Sequence, residues 1–174
     1  MNIDWSTCKF ADLKAEFEKD HSNLDDPGYT LGIRYGNIMN YLGNDRIWLP
    51  IPQAQAKIIP CLCEVLARLP DDDFYTVDDK VFIIVQEDDV LAWNVPLNRA
   101  SSNEICTVIF FKSCTKLSAT ALIGLIAHEL AHTFVDRAGA DYKSDEDATN
   151  AKAQSWGFAF ELDCLDTEQQ LLTW

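Results

Sequence analysis

The sequence predicts an α+β fold: a small, mostly antiparallel β-sheet packed against a long apolar helix and a following C-terminal helix, with an N-terminal helical region ahead of them. Three observations carry that expectation. Apolar residues recur at helical spacing over much of the first seventy positions. The period changes between Val81 and Phe111, where β-branched and aromatic residues gather in short runs. The stretch that starts at Ala119 is then apolar nearly all round in its first half, as in a helix buried on most sides.

In chain order, residues 6–19 read as a first helix with Ser6 or Thr7 as cap and Phe10, Leu13 and Phe17 spaced among charges. Asp25-Asp26-Pro27-Gly28 reads as a turn, and Leu31 to Leu42 as a second helix. Gly32 and Gly36 weaken that helix by about 1 kcal/mol each relative to alanine. Trp48 to Pro52 is a proline-stiffened connection. A helix follows over residues 53–69, kinked or restarted at Pro60, and Pro70 with Asp71, Asp72 and Asp73 reads as a solvated turn. That aspartate run lacks the spaced ligands and glycine of a calcium loop.

Val81–Val85, Val90–Val95 and Ile105–Phe111 read as three strands, the second stopped by Pro96. Their close succession predicts antiparallel pairing. Ser118 is the expected N-cap of a helix from Ala119 to about Val135. Gly139 permits the exit, and Ser144 or Asp145 caps a last helix from Glu146 to about Leu162, with an interruption near Gly157.

The chain has 174 residues, 48% of them hydrophobic, enough to bury a core, and is expected to form one domain over 1–174 with an N-terminal helical region over 1–70. Lys and Arg number 14 against 28 Asp and Glu, a formal charge of −14. Such a surface repels phosphate, so neither nucleic acid nor an anionic membrane is an expected partner. No stretch reaches the roughly 18 apolar residues of a membrane span. Met1 to Asp20 carries Asp4, Asp12, Glu16, Glu18 and Asp20 and no apolar region of a secretory signal. Cys61, Cys63, Cys106 and Cys114 sit in or beside apolar runs, as buried reduced thiols do, and a cytoplasmic setting fits that usage.

Chemistry concentrates in His128-Glu129-Leu130-Ala131-His132. On a helix the two histidines are four apart and project from one face, the H-E-x-x-H arrangement in which two neutral imidazoles hold Zn²⁺ and the glutamate handles a proton of water. A catalytic zinc site takes three protein ligands and leaves one position open. No histidine follows His132, so the third ligand is a carboxylate or His21 from far upstream. Glu146 is the preferred candidate because small or short residues follow it, namely Thr149, Asn150, Ala153 and Gly157, and let the last helix come close. Asp136, Asp141 and Asp145 are its competitors. Asn150, one turn after Glu146, is placed to accept a hydrogen bond from the second nitrogen of a ligating histidine.

The run Ile123 to His132, then Glu146 with Trp156-Gly157-Phe158 behind it, resembles the gluzincin branch of the zincin metallopeptidases, in its compact minigluzincin layout. The resemblance covers roughly residues 80–160. The family's second helix often reads Glu-x-x-Ala-Asp; here Thr149 and Asn150 stand where the alanine and aspartate would be. The resemblance implies a zincin-like metallopeptidase core over 75–165, one bound zinc ion, a peptide or protein substrate, and an exposed edge strand against which the substrate extends. Val90–Val95 is preferred for that strand over Ile105–Phe111. It further implies hydrolysis of peptide bonds with Glu129 as general base, and Tyr142 is a candidate donor to the oxyanion. The alternative is a zincin-like protein with weak or no catalysis, acting as a protein-binding or regulatory module. A peptidase whose cleft is covered by its own first seventy residues is a further possibility.

Overall fold

The computed structural model describes residues 4, 6, 8–19, 27–43, 45, 47–86, 90–96, 105–135 and 142–172. Among these are seven α-helices and one four-stranded sheet, an α+β architecture. The helices are α1 (Lys9–Phe17), α2 (Pro27–Leu42), α3 (Pro52–Arg68), α4 (Asp71–Lys80), α5 (Ala119–Ala131), α6 (Tyr142–Ser155) and α7 (Ala159–Leu172). The strands are β1 (Ile47–Trp48), β2 (Val81–Gln86), β3 (Ala92–Pro96) and β4 (Cys106–Phe111). No helix among the described residues is long and apolar enough to cross a membrane.

The sheet is mixed, not mostly antiparallel. Its order is β1-β2-β4-β3; β2 is parallel to both β1 and β4, and only β3 runs antiparallel to its neighbour. The short link between β2 and β3 is therefore no hairpin, because β4 takes the place between them. β3 sits at the sheet's end, and β4 is an inner strand that cannot serve as an edge. The two-residue β1 falls at the start of the stretch read as a plain connection.

Four helices depart from their expected form. α1 begins at Lys9 and has no side-chain cap from its own chain neighbours; instead the buried Glu64 of α3 accepts from the Phe10 N–H at 3.1 Å. α2 begins at Pro27, within the segment read as a turn. α4 occupies the segment read as a solvated turn. Pro70 precedes it, the three aspartates form its first turn where negative charge complements the helix dipole, and Phe74 and Val77 bury its one apolar face. α3 runs unbroken through Pro60, because the buried run from Cys61 to Ala67 outweighs the lost backbone bond. Its end is held by the buried Arg34, which donates to the carbonyls of Leu66 and Leu69, both at 2.9 Å, and pairs with Asp71 at 3.1 Å.

α5 is the centre of the core and packs chiefly against α7 and α3. Ser118 caps it, its Oγ accepting from the Ala121 N–H at 3.2 Å, while the Ser118 N–H donates to Glu168 of α7 at 2.7 Å. The axes of α5 and α7 come together at Gly124: a Cβ there would lie 2.3 Å from the Glu161 carbonyl oxygen. Gly124→Ala must push backbone against backbone, with an expected loss of about 1–3 kcal/mol, read as a lowered melting temperature. The last helix is two helices. Gly157, at φ +87°, breaks it in the left-handed region, and Arg68 donates to the Gly157 carbonyl and pairs with Glu161.

All six cysteines are free. Burial pushes the thiols of Cys61, Cys63 and Cys114 up to about 12. Only thiolate reacts, so at pH 8 a disulfide reagent should modify these three only after denaturation, and the half-buried Cys8 and Cys164 before it. Because the folded state holds these protons more tightly, the associated stability is present below the ordinary value of 9.0 and is lost as pH climbs toward 12. The melting temperature should therefore fall on the alkaline side.

Candidate metal centre

The last turn of α5 carries His128 and Glu129, and the chain tightens into a short 3₁₀ turn at His132–Phe134. The two imidazoles lie one turn apart with ring centroids 4.8 Å from each other and planes nearly perpendicular. Glu146 reaches them from α6. Its Oε2 lies 3.1 Å from His128 Nε2 and its Oε1 lies 3.6 Å from His132 Nε2. One ligand atom from each of the three residues falls within 4.8 Å of the others. Tetrahedral N and O ligands about 2.0–2.2 Å from one zinc ion stand roughly 3.3–3.6 Å apart; the His132 spacing of 3.6 Å lies at the upper end of that range and the His128 spacing of 3.1 Å just below it.

The opposite face of each imidazole is already engaged. His128 Nδ1 lies 2.9 Å from Asn150 Oδ1, and His132 Nδ1 lies 2.9 Å from Thr149 Oγ1. Thr149 donates its own hydroxyl proton to the Asp145 carbonyl at 2.8 Å, which leaves its oxygen to accept from His132. Both rings then carry their proton on Nδ1 and present a lone pair at Nε2, the form a metal ligand requires. For the Nε2 atoms to donate to Glu146 instead, both rings would have to be imidazolium, two adjacent cations facing one carboxylate. The donor set therefore fits a divalent ion better than a simple ion pair.

Helical spacing explains the arrangement. Glu146, Thr149 and Asn150 stand at i, i+3 and i+4, so one face of α6 supplies the carboxylate and both hydrogen-bond partners. Thr149 and Ala153 are fully buried against α5, the close approach that small residues permit. α6 is fastened from outside as well: Asp73 of α4 accepts from Lys152 at 2.9 Å and from the Trp156 indole at 2.7 Å.

Asp145 faces the Nδ1 side of His132 at 3.9 Å, away from the point where the Nε2 atoms converge. His21, Asp136 and Asp141 lie outside the described residues. Tyr142 opens α6, and its side chain is likewise outside them. The contact of Thr149 with His132 follows from its position three after Glu146. Asn94 was not singled out, although it is the one polar residue in an otherwise apolar strand. Its amide donates to the Glu129 carbonyl at 2.8 Å and ties β3 to α5.

His128, Glu129, His132, Asp145, Glu146, Asn150 and Asn94 line a cleft of about 930 Å³. Its lining comes from residues 90–95, from α6 and α7, and from His128, Glu129 and His132. Glu129 is 7% exposed and borders the same space. Among the described residues, nothing before Val90 lines the cleft, so no described part of the first seventy residues covers it.

No protein-family model, curated protein or solved structure matches the chain.

Removing either outer partner should loosen a ring that the metal needs fixed. Asn150→Ala or Thr149→Val is expected to weaken zinc affinity by roughly 10–100-fold with little change in fold, measured by competition with a chromophoric chelator.

Proposed function

We propose that this chain is a zinc-dependent peptidase of the gluzincin kind, in which His128, His132 and Glu146 hold the metal and Glu129 is the general base. The single observation that carries the reading is the convergence of the two Nε2 atoms on the Glu146 carboxylate, with each Nδ1 engaged on its far side. Zinc held there supplies Lewis acidity, polarising a carbonyl and lowering the pKa of water.

The chain's own residues account for the rest. Glu129, next to His128 and bordering the cleft, takes a proton from the attacking water and returns it to the leaving amine. Its helix turn is held against β3 by Asn94, so base and edge strand keep a fixed relation. Among the described residues β3 pairs with β4 alone, and an extended peptide would add alongside its other edge. Glu146 contributes one negative charge against two neutral rings, a donor set that would leave a divalent ion with a net positive charge.

The test is hydrolysis of an unfolded protein such as casein by the zinc-loaded chain. Cleavage that stops with a chelator and returns with zinc supports the reading. Zinc bound at one equivalent with no cleavage would leave a metal-holding binding module instead.

A further inference from the structure

Besides the residues around Glu146, the cleft is lined by Val90 and Leu91, by the buried Leu125 and Leu165, and by Lys116, Asp166 and Gln169; Lys116 precedes α5, whose last turn carries His128. Lys116 stands out. In a chain of charge −14 it makes no ion pair, and its ammonium no hydrogen bond, among the described residues. Its backbone is nevertheless fixed on both sides. The ammonium of Lys57, from α3, donates to the carbonyl of Thr115 just before it and to that of Leu117 just after it. The same 3₁₀ segment, Lys112–Lys116, is tied to the chain just before β3 by Ser113 Oγ, which donates to the Val90 carbonyl, and is rooted in the core by Cys114. One lysine is thus spent on pinning the backbone while its neighbour is held at the cleft with its charge unmatched.

Building on the peptidase reading, we propose that Lys116, with the Gln169 amide beside the same space, anchors a carboxylate of the bound peptide. That group is the α-carboxylate of its last residue or an acidic side chain. An ammonium and an amide N–H are the donors a carboxylate takes, and a fixed backbone reduces the ordering cost. Asp166, which lines the same cleft, would accept from the substrate's backbone N–H donors. About nine helical steps separate the start of α5 from His128, roughly 14 Å at 1.5 Å per residue. An extended peptide covers that in about four residues at roughly 3.3 Å each, and the lysine stem shortens the span. A chain end held at Lys116 therefore places the scissile bond about two to four residues upstream. Water adds across that C–N bond, giving a new carboxylate on the acyl side and a short fragment with a free amine.

The test uses the full zinc-loaded chain carrying Glu129→Gln and three acetylated pentapeptides of alanine and leucine. One ends in a free carboxylate, one in an amide, and one in an amidated glutamate. Binding is followed by titration calorimetry. The free acid, the glutamate amide or both should bind on the order of tenfold tighter than the plain amide, and whichever does identifies the source of the carboxylate. Lys116→Gln should remove that preference and leave the plain amide's affinity unchanged. Equal affinities for all three peptides, or a preference that survives Lys116→Gln, overturns the anchor while leaving the peptidase reading intact. No binding of any peptide overturns both.

Discussion

Glu129→Gln should retain zinc at one equivalent and lose turnover by on the order of 10²–10⁴-fold. The substitution keeps size and hydrogen-bonding capacity and removes only the proton acceptor. The 7% exposure of Glu129 leaves little room for a buffer base to take its place. Because its backbone carbonyl, not its side chain, receives Asn94, the tie between β3 and α5 survives. The measurement is casein hydrolysis together with metal content on the same preparation. Retained zinc with undiminished hydrolysis would remove Glu129 from the mechanism.

Glu146→Ala acts on the metal itself. It deletes the anionic group that, among the described residues, meets both Nε2 atoms, and leaves two nitrogens. The loss of zinc affinity should exceed the roughly 10–100-fold expected of Asn150→Ala or Thr149→Val, since those residues only orient the rings. A second readout is thermal. A ligand present at a thousand times its Kd stabilises the native state by about 4 kcal/mol, so zinc should raise the melting temperature of the parent chain. In Glu146→Ala that rise should disappear. If Glu146→Ala binds zinc as tightly as the parent, the third ligand is another residue.

The contrast between what was legible in the sequence and what was not follows the range of each interaction. His128, His132, Glu146 and Asn150 stood out because their relations are set by helical spacing, i and i+4 on α5 and again on α6. The Ser118 cap and the break at Gly157 are local in the same sense. The sheet order was not legible, because nothing in three neighbouring apolar runs says that β4 inserts between β2 and β3. α4 was hidden by its composition: three consecutive aspartates resemble a solvated turn unless they are weighed as a first helical turn after Pro70. Asn94, Asp73 and Gly124 share a further reason. Their partners, Glu129, Lys152 with Trp156, and Glu161, lie tens of residues away, and no local pattern names them.

Those distant contacts are also what turn a short motif into a site. Gly124 lets α7 close on α5, Asp73 fastens α6, and the face of α6 then delivers Glu146 with the two partners that fix the tautomers. The central claim is therefore one of ligand identity and ring orientation. It is tested most directly by a crystal structure of the zinc-loaded chain with anomalous scattering recorded at the zinc edge. One anomalous peak is expected, bonded to Nε2 of His128, Nε2 of His132 and the Glu146 carboxylate, with Asn150 and Thr149 on the Nδ1 atoms. A peak bonded through Nδ1, a peak held by Asp145 in place of Glu146, or no peak at these residues would contradict it.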